Sequence, residues 1–287
     1  MQLKLENSVE KSSQYWLYIK ISFASFWLFA VAVMFVSADG CPYPLGICKL
    51  CSFNALFTPV GKCVALVAIL ILITLYLLEK KMLWTTGILA LLSCIIITHH
   101  ESNGLYYHTT PLTAIWAVQF IAYLLPKVKP EFDYRFYRQQ FGIQIIAAIY
   151  VLSAIAKLRA SGTSWVLSGA SFMQLQIIKG FSFAYFDTGK TALLQKGYLL
   201  ANMMAGQKKL MIALLSISLL LEFFCFIAVF NRGPRYAIAF ALILMHTWIF
   251  YSMNLIVPGI VVPMIIFFIN PLFWFAQIFR SNATLKT

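Results

Sequence analysis

"VALVAILILITLYLLEKK", residues 64–81, runs from Val64 to Leu78 without a charge and then closes on Glu79, Lys80 and Lys81. A helix of about 20 such residues crosses the roughly 30 Å hydrocarbon layer of a bilayer. The basic pair at its end marks where the chain leaves the lipid. Comparable runs recur from Ile21 to Phe279. The composition agrees: 61% of the residues are apolar and 11% charged, against about 45–50% and about 25% in soluble domains. Inside lipid every backbone polar group must be bonded within the protein, which leaves helices for apolar runs of this length. The sequence therefore reads as an all-α polytopic membrane protein whose first partner is the lipid bilayer. Its 22 Lys and Arg outnumber 9 Asp and Glu. Most of these cations sit at the ends of apolar runs, where topology accounts for them, so no nucleic acid is expected as a partner.

Eight transmembrane spans are expected, at 21–38, 60–79, 82–98, 111–126, 141–158, 210–230, 236–256 and 259–279. The short ends and loops on the N-terminal side carry Lys4, Lys11, Lys20, Lys80, Lys81, Lys127, Lys129, Arg135, Arg138, Arg232, Arg235, Arg280 and Lys286. Those on the other side carry Lys49 and Lys62. The asymmetry predicts cytoplasmic N- and C-termini in the cell's inner (cytoplasmic) membrane. Val36-Ser37-Ala38 resembles a signal-peptidase site, but the run before it is longer than a signal h-region, so an uncleaved first span is expected. Residues 1–287 read as a single transmembrane domain. Within it, 159–209 is a long outer segment whose apolar stretches are interrupted by Gln, Lys and Gly, and which reads as interfacial or re-entrant helices.

Ionisable groups inside spans cost about 2.5–3.5 kcal/mol at the helix centre, so each needs a reason. Away from the inner ends three stand out: Lys157 at the outer end of span five, Glu222 within span six and His246 midway along span seven. Lys157 could instead snorkel to the interface, and Glu222 and His246 could be a structural pair between helices. The outer stretch "THHESNGLYYHTT", residues 98–110, gathers His99, His100 and His108 and holds no Lys or Arg. Spans three and five both run outward, so an outward-opening pocket could join His99 or His100 to Lys157 and His246. A lysine desolvated there could serve as a general base.

A second group is Cys41, Cys48 and Cys51 in the first outer loop with Cys63 at the start of span two. An oxidising exterior favours one or two structural disulfides among them. Cys48 and Cys51 also form a C-x-x-C, the spacing of thiol–disulfide exchange. No standard zinc-ligand spacing appears, and no metal is expected.

Three stretches together resemble the superfamily of vitamin K-dependent gamma-carboxylases and horizontally transferred transmembrane (HTTM) domains. They are "IYVLSAIAKLRASGTSWVLSG" (149–169), "LLEFFCFIAVFNRGPR" (220–235) and "MHTWIFYSMNLIVPGIVVPMIIFFINPLFW" (245–274). The loop "THHESNGL" is similar to the carboxylase stretch with His and Ser before Gly-Leu, and the match spans about 80–275. The resemblance implies that Lys157 takes the position of the membrane-embedded lysine base, that His99 or His100 takes the loop histidine's place, and that His246 and Glu222 match the helical histidine and the acid of the Leu-Glu pair. Trp165 and Asn254 are the expected cofactor-binding residues, and a quinone or hydroquinone the expected cofactor. Carboxylases carry a large lumenal portion after the membrane domain and a double lysine where this chain has Ala156-Lys157. In size and in its early Cys-containing loop the chain is closer to the small bacterial proteins that mature sporulation-delaying-type peptide toxins.

The expected function is therefore a membrane-bound, enzyme-like protein that modifies or matures an exported peptide of toxin or bacteriocin type at the outer leaflet, with a small accessory protein as a further partner. The rivals are a non-enzymatic immunity or transport factor, in which the buried charges are helix glue or a substrate path, and thiol–disulfide oxidation through Cys48 and Cys51.

Overall fold

The computed structural model describes residues 13–37, 43–103 and 109–284. Among them, seven helices are long and apolar enough to cross a bilayer. They are α1 (Ser13–Ser37), α2 (Pro59–Leu77), α3 (Met82–Glu101), α4 (Thr110–Val128), α5 (Tyr134–Ser161), α9 (Lys208–Phe223, continued by a 3-10 turn Phe224–Val229) and α10 (Arg232–Met253). Between α5 and α9 lie α6 (Ser164–Leu167), α7 (Gly169–Thr188) and α8 (Thr191–Ala205). The chain ends in α11 (Pro258–Met264), a π-helical turn (Ile265–Ile269) and α12 (Pro271–Thr284). The described chain is an all-α, multi-pass membrane protein.

The opening stretch shows why a bilayer is its solvent. α2 begins with Pro59 after Thr58, whose hydroxyl accepts from Gly61 N at 3.1 Å, a standard N-cap. It buries Ala65, Ile69, Ile73 and Tyr76, while its opposite face exposes Val64, Val67, Leu70 and Ile71. Both faces are apolar. Water would penalise the second face and lipid does not.

The eighth expected span, 259–279, is broken. The segments Pro258–Ile269 and Pro271–Phe279 meet at a 46° bend. Asn270 stands at the break with φ +53°, and Pro271 follows it, so the helical ladder cannot continue. The Asn270 amide donates to Tyr15 O at 2.9 Å, tying the bend to α1. In the segment 159–209 neither α7 nor α8 qualifies as a span. They form a packed helical hairpin, with Gly197 fitted against Phe181 where a Cβ would come within 2.6 Å of that side chain.

The helices sort into two compact units. Residues up to Ile146 and those from Pro258 onward form the first; Ala147–Val257 form the second. The core of the first unit is aromatic: Trp116 meets Phe23 at 5.0 Å, Tyr76 at 4.9 Å and Trp27 at 5.5 Å between ring centroids. The buried Trp27 N–H donates to Ser93 Oγ at 3.1 Å, so the one polar atom that the ring carries is satisfied.

One end of this unit is an ion cluster. Lys20, itself buried, donates to Leu77 O at 3.0 Å and to Glu79 Oε1 at 2.9 Å. Arg138 reaches the same oxygen at 3.1 Å and lies 4.6 Å over the Trp16 ring. Partial burial would raise the Glu79 carboxyl, but the hydrogen bond from Lys20 and the charge of Arg138 outweigh it and hold the group below its ordinary value. At the opposite end of α3 the segment from Tyr43 to Thr58 folds back onto the helix. Tyr43 N donates to Ser102 O at 3.2 Å, Leu45 N to Ser102 Oγ at 2.9 Å, and Phe57 stacks flat on His99 at 3.4 Å.

Candidate functional site

The second unit holds a cavity of about 610 Å³ between α5, α7, α9 and α10. Its walls are apolar, with Met173, Leu214, Leu215, Met245 and Trp248 prominent. Its volume lies within the range of roughly 300–1,000 Å³ that small-molecule sites occupy.

Two glycines fix the wall that α7 supplies. A Cβ on Gly169 would come within 2.2 Å of Leu215 Cδ1, and one on Gly180 within 1.8 Å of the Met253 carbonyl oxygen. At Gly180 the obstacle is backbone, so only glycine allows α7 to approach the end of α10 this closely; at Gly169 the Leu215 side chain would have to turn aside.

Four polar side chains reach the cavity: Lys157, Gln176, Ser218 and Glu222. Ser218 is engaged, donating to Met245 Sδ at 3.0 Å. Lys157 Nζ donates to both oxygens of Glu222, at 2.5 Å from Oε1. The lysine side chain keeps 26% of its exposure and the carboxylate 6%, so the pair sits in the wall of the cavity and is not a surface ion pair. Lys157 Nζ also lies 5.0 Å over the Trp165 ring, a cation–π contact. Glu222 stands where α9 gives way to the 3-10 turn at Phe224–Val229. Arg235 of α10, fully buried, donates from Nε to Ala228 O at 2.9 Å within that turn. Departures from α geometry inside a span are tolerated where neighbouring groups take up the freed backbone atoms.

Seven residues earlier on α5, and so on the same face about 10 Å further along the axis, lies Tyr150. Its hydroxyl meets His246 Nε2 at 2.9 Å. Tyr150 is buried, as is Cys225 in the 3-10 turn. The second unit thus stacks two polar contacts on one face of α5: Lys157–Glu222 in the cavity wall and Tyr150–His246 beside the core.

Comparison with protein-family models, with curated proteins and with solved structures finds no match to this chain.

The sequence-derived residues are divided between the two units. Lys157, Glu222, Trp165 and His246 come together in the second unit, the first three lining the cavity and His246 standing outside its wall. Asn254 does not line the cavity, although its neighbours Met253 and Leu255 do. It caps α10 in the left-handed conformation, φ +52°, with its N–H on Phe250 O at 2.9 Å. His99 and His100 belong to the first unit, buried at the end of α3. His99 is wholly covered, and neither of its ring nitrogens has a hydrogen-bond partner among the described residues. His108 lies outside the described residues.

The expected disulfides need a correction in part: among the described residues no disulfide joins any two of Cys48, Cys51 and Cys63. The physical reason lies in the fold-back of the loop. Cys48 turns inward in a 3-10 turn, with Sγ 3.7 Å from Thr98 Oγ1, while Cys51 and Cys63 are exposed. Cys41 lies outside the described residues.

Sequence reading missed Tyr150, Gln176 and Ser218. Tyr150 carried a signal, its seven-residue spacing from Lys157 on one helical face. Gln176 and Ser218 had none until the cavity brought them together.

Proposed function

We propose that this chain is an enzyme-like maturation protein of the inner membrane, with both termini cytoplasmic, that modifies an exported peptide at the outer leaflet. The observation that carries the reading is the Lys157–Glu222 pair, set in the wall of a mostly apolar cavity. An ion pair in so apolar a wall is weak evidence for stability, because desolvation offsets most of the attraction. Its value is chemical. A proton passed from the Lys157 ammonium to the Glu222 carboxylate leaves a neutral amine, which is a base, beside a neutral acid. The exchange creates no net charge and suits a site of low dielectric. Lys157 would then take a proton from the substrate while Glu222 stores the one it received.

The cavity also fits a quinone-type lipid in size and polarity: apolar walls for a ring and tail, with Lys157 and Trp165 at its polar edge. When bound, such a group supplies two-electron redox chemistry. Lys157 would hold its oxygen by hydrogen bonding, and Trp165 would cover Lys157 from water. The chemistry in this reading rests on the second unit; the HTTM and gamma-carboxylase resemblance motivates it, and a small accessory protein would present the peptide.

The test is mass spectrometry of secreted peptides from cells with the wild-type chain, with Lys157→Ala and with no chain. A mass shift present only with the wild type is expected. Identical spectra in all three end the enzyme reading.

A second reading has its own observation. Both Glu222 oxygens are engaged by Lys157, as they would be in helix glue of a non-enzymatic immunity or transport factor. A Lys157→Met, Glu222→Leu chain that folds and keeps its full cellular effect would favour this reading.

A further inference from the structure

The Tyr150–His246 contact does more than fill space. A neutral imidazole carries one proton on one of two nitrogens, and the partner at one nitrogen decides where that proton sits. Here the partner at Nε2 is a buried phenol at 2.9 Å. The phenol is the more acidic of the two groups, so its O–H donates and Nε2 accepts. The proton of the ring then resides on Nδ1. Nδ1 is buried and has no hydrogen-bond partner among the described residues. A contact that served only to join α5 to α10 would need one nitrogen and would work as well with a glutamine. A histidine held at one nitrogen, with the other buried and without a hydrogen-bond partner among the described residues, is an oriented donor.

We propose that Tyr150 is a positioning residue of the second unit: it holds His246 in a single tautomer and a single ring orientation, so that the Nδ1–H is presented to a bound water or to a ligand oxygen. The proposal rests on reading this unit as a reaction site, and it extends that reading to a residue which touches neither Lys157 nor the cavity. Its place on α5 supports the assignment. Tyr150 and Lys157 share one helical face, so whatever fixes the axial rotation of α5 aims both. Tyr150 is itself buried, so bulk water does not compete for the bond between its phenol and the imidazole.

The experiment is nitrogen NMR of the full chain in lipid nanodiscs with ¹⁵N-labelled histidine, the His246 signals being identified by their loss in His246→Gln. The wild type is expected to show Nδ1 protonated and Nε2 bare. In Tyr150→Phe the two tautomers should mix. A wild-type spectrum with the proton on Nε2 overturns the proposal, and so does a Tyr150→Phe spectrum unchanged from wild type. Should Tyr150→Phe fail to fold, the wild-type tautomer alone decides. The same Tyr150→Phe strain is assayed for peptide modification, where a loss of about tenfold is expected, a part of the roughly 10²–10⁴-fold that a positioned proton-transfer group supplies. An unmodified peptide in every strain removes the proposed reaction, and Tyr150's hold on His246 then stands or falls on the tautomer.

Discussion

Lys157 and Glu222 come from different spans and meet in the wall of a cavity, the ammonium bonded to both carboxylate oxygens. Removing one partner strands the other charge in an apolar wall. Lys157→Met or Glu222→Leu alone should lower unfolding stability by about 3 kcal/mol, and the double variant should recover to within about 1 kcal/mol of wild type, because well-packed apolar residues replace a buried ion pair at little net cost. Thermal unfolding of the four proteins in one detergent measures this. Additive losses in the double variant would mean that the two side chains stabilise the fold independently.

The α7 wall depends on Gly180, where a Cβ would stand 1.8 Å from the Met253 carbonyl oxygen. The obstacle is backbone and cannot rotate away. Gly180→Ala should therefore push α7 off the end of α10, destabilise the chain by about 1–3 kcal/mol and weaken retention of any apolar ligand in the cavity. Gly206 is the control, since its backbone is ordinary right-handed helical and the nearest atom to its added Cβ is the Met203 carbonyl oxygen at 3.7 Å, an ordinary contact. Gly206→Ala should be neutral or stabilising by up to about 1 kcal/mol, because alanine loses less chain entropy on folding than glycine. Equal effects at both positions would show that the close approach carries no weight.

The spans were legible in the sequence because lipid demands runs such as 64–78, which nothing in a soluble fold would require. Their ends were less so. α1 is already helical at Ser13 and α5 begins at Tyr134, well before the apolar runs start at 21 and 141. The helices continue into polar residues because Lys20 and Arg138 find Glu79 there, a contact between segments distant in sequence. The break at Asn270 had a signal in the sequence, the Asn270-Pro271 pair, but the long apolar stretches on either side of it read as one span. In the site, Lys157, Glu222 and His246 stood out because charge inside a span is expensive. Tyr150 did not, since a tyrosine in a span needs no excuse. The cavity itself depends on how closely α7 approaches its neighbours, and that is set at Gly180 by a backbone contact with a residue far along the chain.

The Glu79 cluster predicts a pH dependence whose sign follows from its partners. The folded carboxyl sits below its ordinary value because Lys20 and Arg138 favour the ionised form against the effect of burial. The folded state therefore releases the proton more readily than the unfolded chain, whose Glu titrates near about 4.3. The stabilisation is present in full above that value and is lost as the pH falls through the lower, folded one. Melting temperatures of wild type and Glu79→Gln between pH 3 and 7 should differ most at neutral pH and converge in acid. Parallel curves would mean that the cluster makes no net contribution.

The exposed and buried thiols test the orientation on which the function depends. Cys51 is exposed and Cys48 buried against Thr98. With the proposed cytoplasmic termini, both lie on the outer side. In chains that keep only one of these cysteines, a membrane-impermeant maleimide added to intact cells should label Cys51 within minutes and leave Cys48 untouched until denaturant opens the loop. Labelling of Cys51 only after the cells are permeabilised would invert the topology. The end of α5 that carries Lys157 would then face the cytoplasm, and an exported peptide could not be its substrate.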